Sequence, residues 1–299
     1  MRRRPLFILV AAALMVAACG DSSGTPASTG TAPTTTAVPK PSRIVSLSPT
    51  ATEMLYAVGA GSQVVAVDDQ SNYPAQAPKT DLSGYKPNLE AIAAKNPDLV
   101  VMSDDAAGLV AKLQTLKITA LVLPSATTID DSYSQMEKLG VATGNVSGAT
   151  EAVLKMKTRM SDLVKSVPKP ARPLRYYHEL DNTLYTATSK TFIGEVYKLA
   201  GLQNIADAAD KTSSGYPQLS AEYLVQQNPD LVFLADTKCC GQNAKTFGAR
   251  PGFDQIAAVK NGGVVELDDD IASRWGPRTP DLLDAVVKAL AKLPVASTK

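Results

Sequence analysis

The stretch SGYKPNLEAIAAKNPDLVV at residues 83–101 returns in altered form at residues 214–233 as SGYPQLSAEYLVQQNPDLVF. In both copies the asparagine of Asn-Pro-Asp follows a glutamate, Glu90 or Glu222, by six positions. The tyrosine precedes that glutamate by five positions in the first copy and by six in the second. The chain therefore contains one unit twice, with one residue inserted between tyrosine and glutamate.

Both copies of the repeat predict the same local structure. A Ser-Gly-Tyr turn exposes Tyr85 or Tyr216, and the acid that follows favours a helix start, because a helix N-terminus carries partial positive charge. Asn-Pro-Asp then ends the short helix before a buried apolar strand. The copies lie too far apart for a solenoid repeat, so the pattern predicts two similar lobes.

Outside the repeat, short apolar strands alternate with helical segments. This alternation is typical of parallel sheets that are covered on both faces. It predicts an N-terminal α/β lobe over residues 42–143 and a C-terminal α/β lobe over residues 168–299. Between them, residues 144–167 have apolar residues at helical spacing and predict a long connecting helix. The alternative is that this helix belongs to the first lobe.

The N-terminus predicts export. Residues 1–18 have a basic start and an apolar run too short for a membrane span, as in a signal peptide. Small residues before Cys19 indicate a lipoprotein cleavage site with lipid on Cys19; the alternative is an ordinary secretory signal with an incidental cysteine. Residues 19–41 are rich in Ser, Thr and Pro and predict a flexible tether. We expect a protein that is lipid-anchored on the outer face of the cell membrane.

The net charge and the cysteine content limit which classes of partner and which bound groups we expect. The 299 residues carry a formal net charge of +1, which becomes −2 without the three arginines of the leader, so a nucleic-acid partner is disfavoured. The adjacent Cys239 and Cys240 form either a vicinal disulfide or two reduced thiols. With one histidine, His178, and no second cysteine pair, we predict no metal site and no resident cofactor.

We recognise no enzyme motif in the sequence. It has no Gly-x-Ser-x-Gly elbow and no phosphate-binding glycine loop, so we predict no catalytic residue. A structural surface lipoprotein is a second alternative. Duplicated lobes with a joining helix disfavour it, because such a protein has no need of a cleft.

Five short motifs follow one another along the chain: RIVSLSPTATE at 43–53, SNYP at 71–74, NLE at 88–90 and the two NPDLV runs. Together they resemble the substrate-binding proteins of ABC importers for cobalamin and iron–siderophore complexes. The resemblance covers about residues 42–295. It implies two Rossmann-like lobes with parallel sheets joined by one long interdomain helix, the class III arrangement, with the ligand between the lobes. It also implies a small metal chelate, an ABC permease and its ATPase as partners, and we expect a monomer.

The resemblance leaves the ligand as a cobalt corrinoid, a ferric siderophore or haem. A corrin needs flat aromatic contacts, whereas an anionic ferric chelate needs arginine forks and tyrosine hydroxyls. The SNYP loop favours the corrinoid, and Arg274 and Arg278 would suit an anionic siderophore; we favour the corrinoid. The predicted ligand-binding residues are Tyr73, Tyr85, Tyr185, Tyr216, Arg274, Trp275 and Arg278, with Phe247 and Arg250 as further candidates. Tyr176, Tyr177, Tyr197 and His178 are expected to be structural.

The repeated glutamates have a second implied role. In the family, one exposed glutamate on each lobe docks into a basic pocket of the permease, and Glu90 and Glu222 match those positions. The alternative is favourable electrostatics at two helix N-termini, and both roles are compatible.

Overall fold

The computed structural model describes residues 40–293, which belong to one compact unit. The predicted signal peptide, the lipidation site Cys19 and nearly all of the predicted tether lie outside the described residues. In the described residues, no helix is long and apolar enough to cross a membrane.

The first half of the chain forms a five-stranded parallel sheet in the order β3-β2-β1-β4-β5. Its central strands β1 and β4 are buried at every residue, as expected when helices cover both faces. The strands are β1 (Ile44–Leu47), β2 (Val64–Asp68), β3 (Lys79–Leu82), β4 (Leu99–Met102) and β5 (Thr119–Val122). The helices are α1 (Pro49–Ala57), α2 (Leu89–Ala93), α3 (Leu109–Thr115) and α4 (Ile129–Thr143).

The long helix α5 (Val146–Ser166) lies between the two sheets in the chain. Ala149, Val153, Met156 and Met160 are buried on one face, at spacings of three and four residues. This face packs against α4, and α5 also packs against the helix that ends the described chain. The break from α4 falls at Gly144, whose φ of +68° is easily adopted by glycine.

The second half forms a four-stranded parallel sheet in the order β7-β6-β8-β9. Its strands are β6 (Arg175–Glu179), β7 (Gln203–Asn204), β8 (Leu231–Leu234) and β9 (Val264–Glu266). Its helices are α6 (Phe192–Leu199), α7 (Ala221–Gln227), α8 (Thr237–Cys240), α9 (Ala244–Gly248), α10 (Ala257–Lys260), α11 (Asp269–Ser273) and α12 (Thr279–Lys292). The two parallel-sheet α/β lobes agree with the fold that we predicted.

One apolar core crosses the boundary between the lobes. It includes Met54 of α1, Met136 of α4, Met156 of α5, Val196 of α6 and Val286 of α12, all of which are buried. Because burial of apolar surface stabilises by about 25 cal/mol per Å², separation of the lobes would be costly. The lobes are therefore joined by packed helices as well as by the chain.

The asparagine of each Asn-Pro-Asp run has a left-handed backbone. The φ angle is +50° at Asn96 and +46° at Asn228. Asparagine tolerates this conformation better than most residues, and at Asn228 it forms the cap of α7. The repeated asparagine thus reverses the chain between the short helix and the strand.

The aspartate of each run fastens the sheet at the amino end of its strands. Asp98 Oδ1 accepts a hydrogen bond from the N–H of Arg43 at 3.0 Å, just before β1. Asp230 Oδ2 accepts one from the N–H of Arg175 at 2.9 Å, at the start of β6. This part of the repeat is therefore structural and lies away from the carboxyl edge of each sheet.

Candidate ligand-binding site

The predicted tyrosines follow the carboxyl ends of the strands. Tyr73 follows β2, Tyr85 follows β3, Tyr185 follows β6 and Tyr216 follows β7. Their exposed fractions are 46%, 87%, 42% and 48%. Loops at this edge of an open parallel sheet are where α/β proteins usually bind ligands. The structure therefore presents four exposed aromatic rings, two from each lobe, on loops of the expected kind.

Tyr185 and Tyr216 lie on neighbouring segments of the second lobe. Residues 184–188 run antiparallel to residues 215–219, with Tyr185 directly opposite Gln218. Backbone bonds from Thr186 to Pro217, from Thr188 to Gly215 and from Leu219 to Leu184 keep one register. Side chains alternate between faces in such a pair, so both tyrosines lie on the same, exposed face. We name residues 184–188 and 215–219 the tyrosine ribbon.

The glycine before each tyrosine is required for a different reason in each lobe. At Gly84 an added Cβ would stand 2.3 Å from the Leu47 carbonyl oxygen and 3.0 Å from Asp68 Oδ2. At Gly215 the requirement is conformational, because φ is +80°. In the first lobe the turn thus rests directly on the ends of β1 and β2, which places Tyr85 above that edge.

A buried polar network lies beneath this edge of the first lobe. The Ser71 hydroxyl donates to the Asp68 carboxylate, and the Thr52 hydroxyl lies 2.8 Å from Ser71 Oγ and donates to Ser46 Oγ at 2.8 Å. Burial raises the pKa of Asp68 to about 6, against the opposing effect of its hydrogen bond from Ser71. The network holds the SNYP loop at residues 71–74 to the ends of β1 and β2.

Arg274 and Arg278 converge on Glu53, which lies on α1 in the other lobe. Arg278 donates from Nε to Glu53 Oε2 at 2.8 Å and from Nη2 to Oε1 at 2.5 Å. Arg274 Nη1 donates to Glu53 Oε1 at 2.8 Å. The Glu53 side chain is fully buried, and those of Arg274 and Arg278 are 9% and 16% exposed. Both guanidinium groups are therefore neutralised within the protein and bind one lobe to the other.

The SNYP loop takes part in the same junction. Asn72 Nδ2 donates to Asp270 Oδ2 at 2.9 Å and its Oδ1 accepts from Arg274 Nη1 at 2.9 Å. The ring of Tyr73 lies 4.3 Å from the Arg278 guanidinium carbon, a cation–π contact. We name Glu53, Asn72, Asp270, Arg274 and Arg278 the lobe junction. Tyr73 thus packs on the junction and keeps half of its surface exposed.

Trp275 is held against α4. Its indole Nε1 donates to Gln135 Oε1 at 3.0 Å, and its backbone carbonyl accepts from the Ser132 hydroxyl at 2.5 Å. The ring is half-buried against the shared core. The structure therefore places Trp275 next to the lobe junction as a packed side chain and not as a freely exposed ring.

Phe247 does not face a cleft, and Arg250 has an internal partner. Phe247 is fully buried beneath Phe253, with ring centroids 4.9 Å apart. Arg250 donates from both terminal nitrogens to the buried Glu179, at 2.7 and 2.6 Å. The prediction that Phe247 contacts the ligand was wrong, because the segment after α8 folds back into the second lobe as α9. The core placements of Tyr176, Tyr177 and Tyr197 are confirmed.

Asp236 is a buried acid that the sequence did not single out. It follows β8 and is fully buried; within residues 40–293 its ionised carboxylate accepts no hydrogen bond, whereas its protonated form can donate one to Glu179. Burial, followed by the nearby charge of Glu179, raises the pKa of Asp236 to about 7. Asp236 is therefore present in both its protonated and its ionised form near neutral pH.

The structure joins Cys239 and Cys240 by a disulfide at the end of α8. Both residues are exposed. The preceding Lys238 reaches Asp268 and Asp270 from its Nζ at 2.7 and 3.1 Å. Cys239 and Cys240 thus directly follow Lys238, whose side chain contacts Asp270.

Glu90 and Glu222 occupy equivalent places. Each is exposed and is the second residue of its helix, α2 or α7. The caps are also equivalent, because the Asn88 side chain accepts from the N–H of Ala91 at 3.0 Å and Ser220 Oγ from that of Tyr223 at 3.1 Å. The two acids therefore present carboxylates at matching positions of the two lobes.

A cavity of about 610 Å³ lies between α1, α5 and the start of α12. Tyr73 and Arg278 line it, together with Tyr56, Lys155 and the ion pair of Arg159 with Asp281 at 2.6 Å. Tyr85 and the tyrosine ribbon do not line it. This cavity is therefore distinct from the surface that the other exposed tyrosines form.

His178 is a structural residue, as predicted. It is fully buried, and its Nδ1 lies 2.8 Å from the Tyr197 hydroxyl. Burial lowers the pKa of His178 to about 3. Among the residues that the structure describes, no three His, Cys, Asp or Glu side chains are grouped so as to hold a metal ion.

Comparison with known proteins defines the class. Residues 44–271 match the periplasmic binding protein family, and the chain belongs to that family. It is 30% identical over 260 residues to an uncharacterized ABC transporter substrate-binding lipoprotein, YvrC, of Bacillus subtilis, which covers 84% of this chain and 80% of that protein. It is also 30% identical over 261 residues to a vitamin B12-binding protein of Vibrio cholerae, which covers 85% of this chain and 90% of that protein.

A solved structure agrees with the fold. The crystal structure of a possible iron-binding, periplasmic solute-binding protein from Staphylococcus epidermidis superposes with a TM-score of 0.72 at 27% identity. The match covers 84% of this chain and 99% of that one. The resemblance that the short motifs indicated is confirmed by the family match.

Proposed function

We propose that this chain is the extracytoplasmic substrate-binding protein of an ABC importer and that it captures a corrinoid. Membership of the periplasmic binding protein family and the similarity to an ABC transporter substrate-binding lipoprotein support the transport role. The similarity to a vitamin B12-binding protein supports the corrinoid. The ligand would lie between the carboxyl edges of the two sheets, where Tyr85 and the tyrosine ribbon are exposed.

The choice of a corrinoid over an anionic ligand depends on one observation. Basic side chains near these edges are paired with carboxylates of the protein. Arg274 and Arg278 bond to Glu53, Arg250 bonds to Glu179, and Lys238 bonds to Asp268 and Asp270. Each of these four positive charges is thus matched by an internal carboxylate. An anionic ferric chelate would have to compete with these carboxylates for the guanidinium groups, at a cost of several kcal/mol for each buried pair that is broken.

A corrinoid fits the surface that remains. Its macrocycle offers a broad, largely apolar face, and its edge carries neutral amides. Exposed tyrosines combine a flat ring for packing with a hydroxyl for hydrogen bonding to amides. Tyr185 and Tyr216 share one face of the tyrosine ribbon, so both rings are presented to such a ligand from the same side.

A ferric siderophore or haem is the second candidate. The hydroxyls of the exposed tyrosines favour it, because phenolic oxygens can hydrogen-bond to iron-bound oxygens or carboxylates of such ligands. The likeness to a possible iron-binding protein supports the same alternative. The two candidates differ in whether the tyrosine rings or their hydroxyls supply the affinity.

Delivery would proceed through Glu90 and Glu222. Their matching, exposed positions at two helix starts suit contact with basic pockets of a symmetric permease, with the lobes docking side by side. The lipid on Cys19 and residues 19–41 as a tether would keep the protein near that permease on the outer face of the membrane.

A melting-temperature screen of the intact protein tests the function. Binding to the native state alone stabilises by about 2.7 kcal/mol at a ligand concentration of one hundred times Kd. We expect cyanocobalamin and cobinamide to raise the melting temperature. Haem and ferric siderophores form the comparison panel. A rise with a ferric chelate alone would replace the corrinoid by the second candidate, and no rise with any of the panel would contradict the transport function in this form.

A further inference from the structure

The Cys239–Cys240 disulfide has no part in the ligand contacts proposed above. Both cysteines are exposed, so a soluble thiol can reach them. They form the last two residues of α8, a helix of only four residues. A helix this short is not stable by itself, so contacts with the rest of the protein must hold it.

The main anchor of α8 is Asp269 on α11. The N–H groups of Thr237, Lys238 and Cys239 donate to its carboxylate at 2.9, 2.9 and 2.8 Å. The Thr237 hydroxyl donates to Asp269 as well, at 2.9 Å. The orientation of α8 and the position of the Asp269 carboxylate are therefore mutually dependent.

The same segment belongs to the lobe junction. Asp270, the next residue, accepts from Asn72 Nδ2 at 2.9 Å and from Arg274 Nη2 at 2.6 Å. Lys238 of α8 also donates to Asp270, at 3.1 Å. One direct contact, from Lys238 to Asp270, thus connects the disulfide helix to the lobe junction, and Asp269, which anchors α8, precedes Asp270 in the chain.

We propose that the Cys239–Cys240 disulfide is a redox-sensitive element that controls the lobe junction, and that its reduction weakens ligand binding. The part of this proposal that concerns ligand binding rests on the proposed function. In the oxidised form the cross-link fixes α8 with Lys238 between Asp268 and Asp270. In the reduced form the last turn is free to unwind, and Asp270 loses the support that orients it toward Asn72 and Arg274.

The chemistry is thiol–disulfide exchange with a dithiol. One thiolate of the dithiol attacks a sulfur of the pair, the bond between Cys239 and Cys240 breaks, and a mixed disulfide forms. The second thiol of the reagent then displaces the protein sulfur. The protein gains two electrons and two protons as two thiols, and the reagent leaves as its own disulfide.

Trp275 provides a readout that needs no ligand. It is the only tryptophan of the chain and follows Arg274 directly. We would reduce the full-length protein in detergent with dithiothreitol and verify by peptide mass spectrometry that residues 239 and 240 carry thiols. We expect the Trp275 emission maximum to shift to longer wavelength on reduction and to return on reoxidation.

The double variant Cys239→Ser/Cys240→Ser is the matched control. We expect its emission to equal that of the reduced wild type and to be insensitive to dithiothreitol. It also permits calorimetry with cyanocobalamin in the absence of thiols, and we expect its Kd to be about fivefold or more above that of the oxidised wild type, the lower range of typical coupling between sites.

The outcomes separate this proposal from the function on which it rests. Unchanged Trp275 emission after verified reduction would overturn the redox element. A shift in emission with equal cyanocobalamin affinities for the wild type and the double variant would overturn its link to ligand binding. A shift in emission with no cyanocobalamin binding to either protein would support the redox element and reject the corrinoid.

Discussion

Arg278 and Glu53, which are 225 positions apart in the chain, form an ion pair with two hydrogen bonds, at 2.8 and 2.5 Å. The carboxylate is fully buried and also accepts from Arg274. One acid of the first lobe therefore binds two arginines of the second, and Asp270 supplies a second carboxylate to Arg274. This relationship removes the strongest candidates for binding an anionic ligand and fastens the lobes to each other.

Glu53→Gln should strongly destabilise the protein. Removing one partner of a buried ion pair leaves an uncompensated charge and typically costs about 3–5 kcal/mol. Urea unfolding, followed by circular dichroism, measures this loss. The control is Asp284→Asn, which breaks the exposed pair with Lys288 at 2.7 Å and should cost about 0.5 kcal/mol or less. Equal effects of the two substitutions would show that the lobe junction does not stabilise the fold.

Asp236 should make stability decrease as the pH rises. Its pKa is raised from 3.8 to about 7, so the native state binds the proton more tightly than the unfolded state does. The stabilisation is complete below pH 3.8 and is lost as the pH rises through 7. We therefore expect Asp236→Asn to be more stable than the wild type at pH 8, by about 1–3 kcal/mol, and to lose this advantage at pH 4.

Unfolding free energies of both proteins between pH 4 and pH 8 measure this difference. The comparison at each pH cancels titrating groups that do not interact with Asp236, including His178, whose lowered pKa acts in the opposite direction. Asp254→Asn, on the surface, is the control and should follow the wild type at every pH. An Asp236→Asn curve parallel to that of the wild type would contradict the raised pKa.

Tyr185 and Tyr216 should contribute to ligand affinity through their rings. Aromatic packing contributes about 0.5–1.5 kcal/mol beyond buried area, so each change to alanine should weaken cyanocobalamin binding about threefold to tenfold. Tyr185→Phe and Tyr216→Phe keep the ring and should retain most of the affinity. Calorimetric titration checks both sets.

The phenylalanine variants also discriminate between the ligand classes. A ligand that is held by phenolic hydroxyls would lose as much affinity with phenylalanine as with alanine. That result would favour a ferric chelate. Leu154→Ala, an exposed residue of α5, is the control for surface changes remote from the tyrosine ribbon and should leave affinity unchanged.

Glu90→Lys/Glu222→Lys should abolish uptake without changing ligand affinity. Reversal of both charges replaces attraction to a basic permease surface by repulsion, which suppresses docking. Uptake of labelled cobalamin by cells with the chain as their sole binding protein gives the transport rate, and calorimetry gives the affinity. Glu137→Lys, another exposed acid, should transport normally. Normal uptake by the double variant would exclude the docking role.

The repeat was the most informative part of the sequence because its signals are local. Turn glycine, acidic helix start, helix-ending asparagine and apolar strand all act within a few residues, and the structure places them in the predicted order at Gly84 and Gly215 and at Asn96 and Asn228. For the aspartates of the repeat, the local pattern indicates only the end of a helix. Their bonds to Arg43 and Arg175 reach back more than fifty positions, and no local pattern reports them.

The lobe junction could not be predicted for the same reason. Glu53 has the sequence context of an acid near a helix start, while its partner Arg274 lies 221 positions later. In the sequence, an arginine on a loop predicts anion binding. The pattern is the same whether the anion is a ligand or a carboxylate far away in the chain. Likewise, the sequence alone does not relate Tyr185 to Tyr216, whereas the pairing of residues 184–188 with 215–219 places them on one face.

Calorimetric titration of the intact, oxidised protein with cyanocobalamin tests the central claim most directly. We predict saturable binding of one corrinoid per chain with a Kd of about one micromolar or lower, undiminished by an excess of an anionic ferric tricatecholate. Absence of cyanocobalamin binding, together with saturable binding of the ferric tricatecholate, would contradict the corrinoid assignment and the inference drawn from the paired arginines.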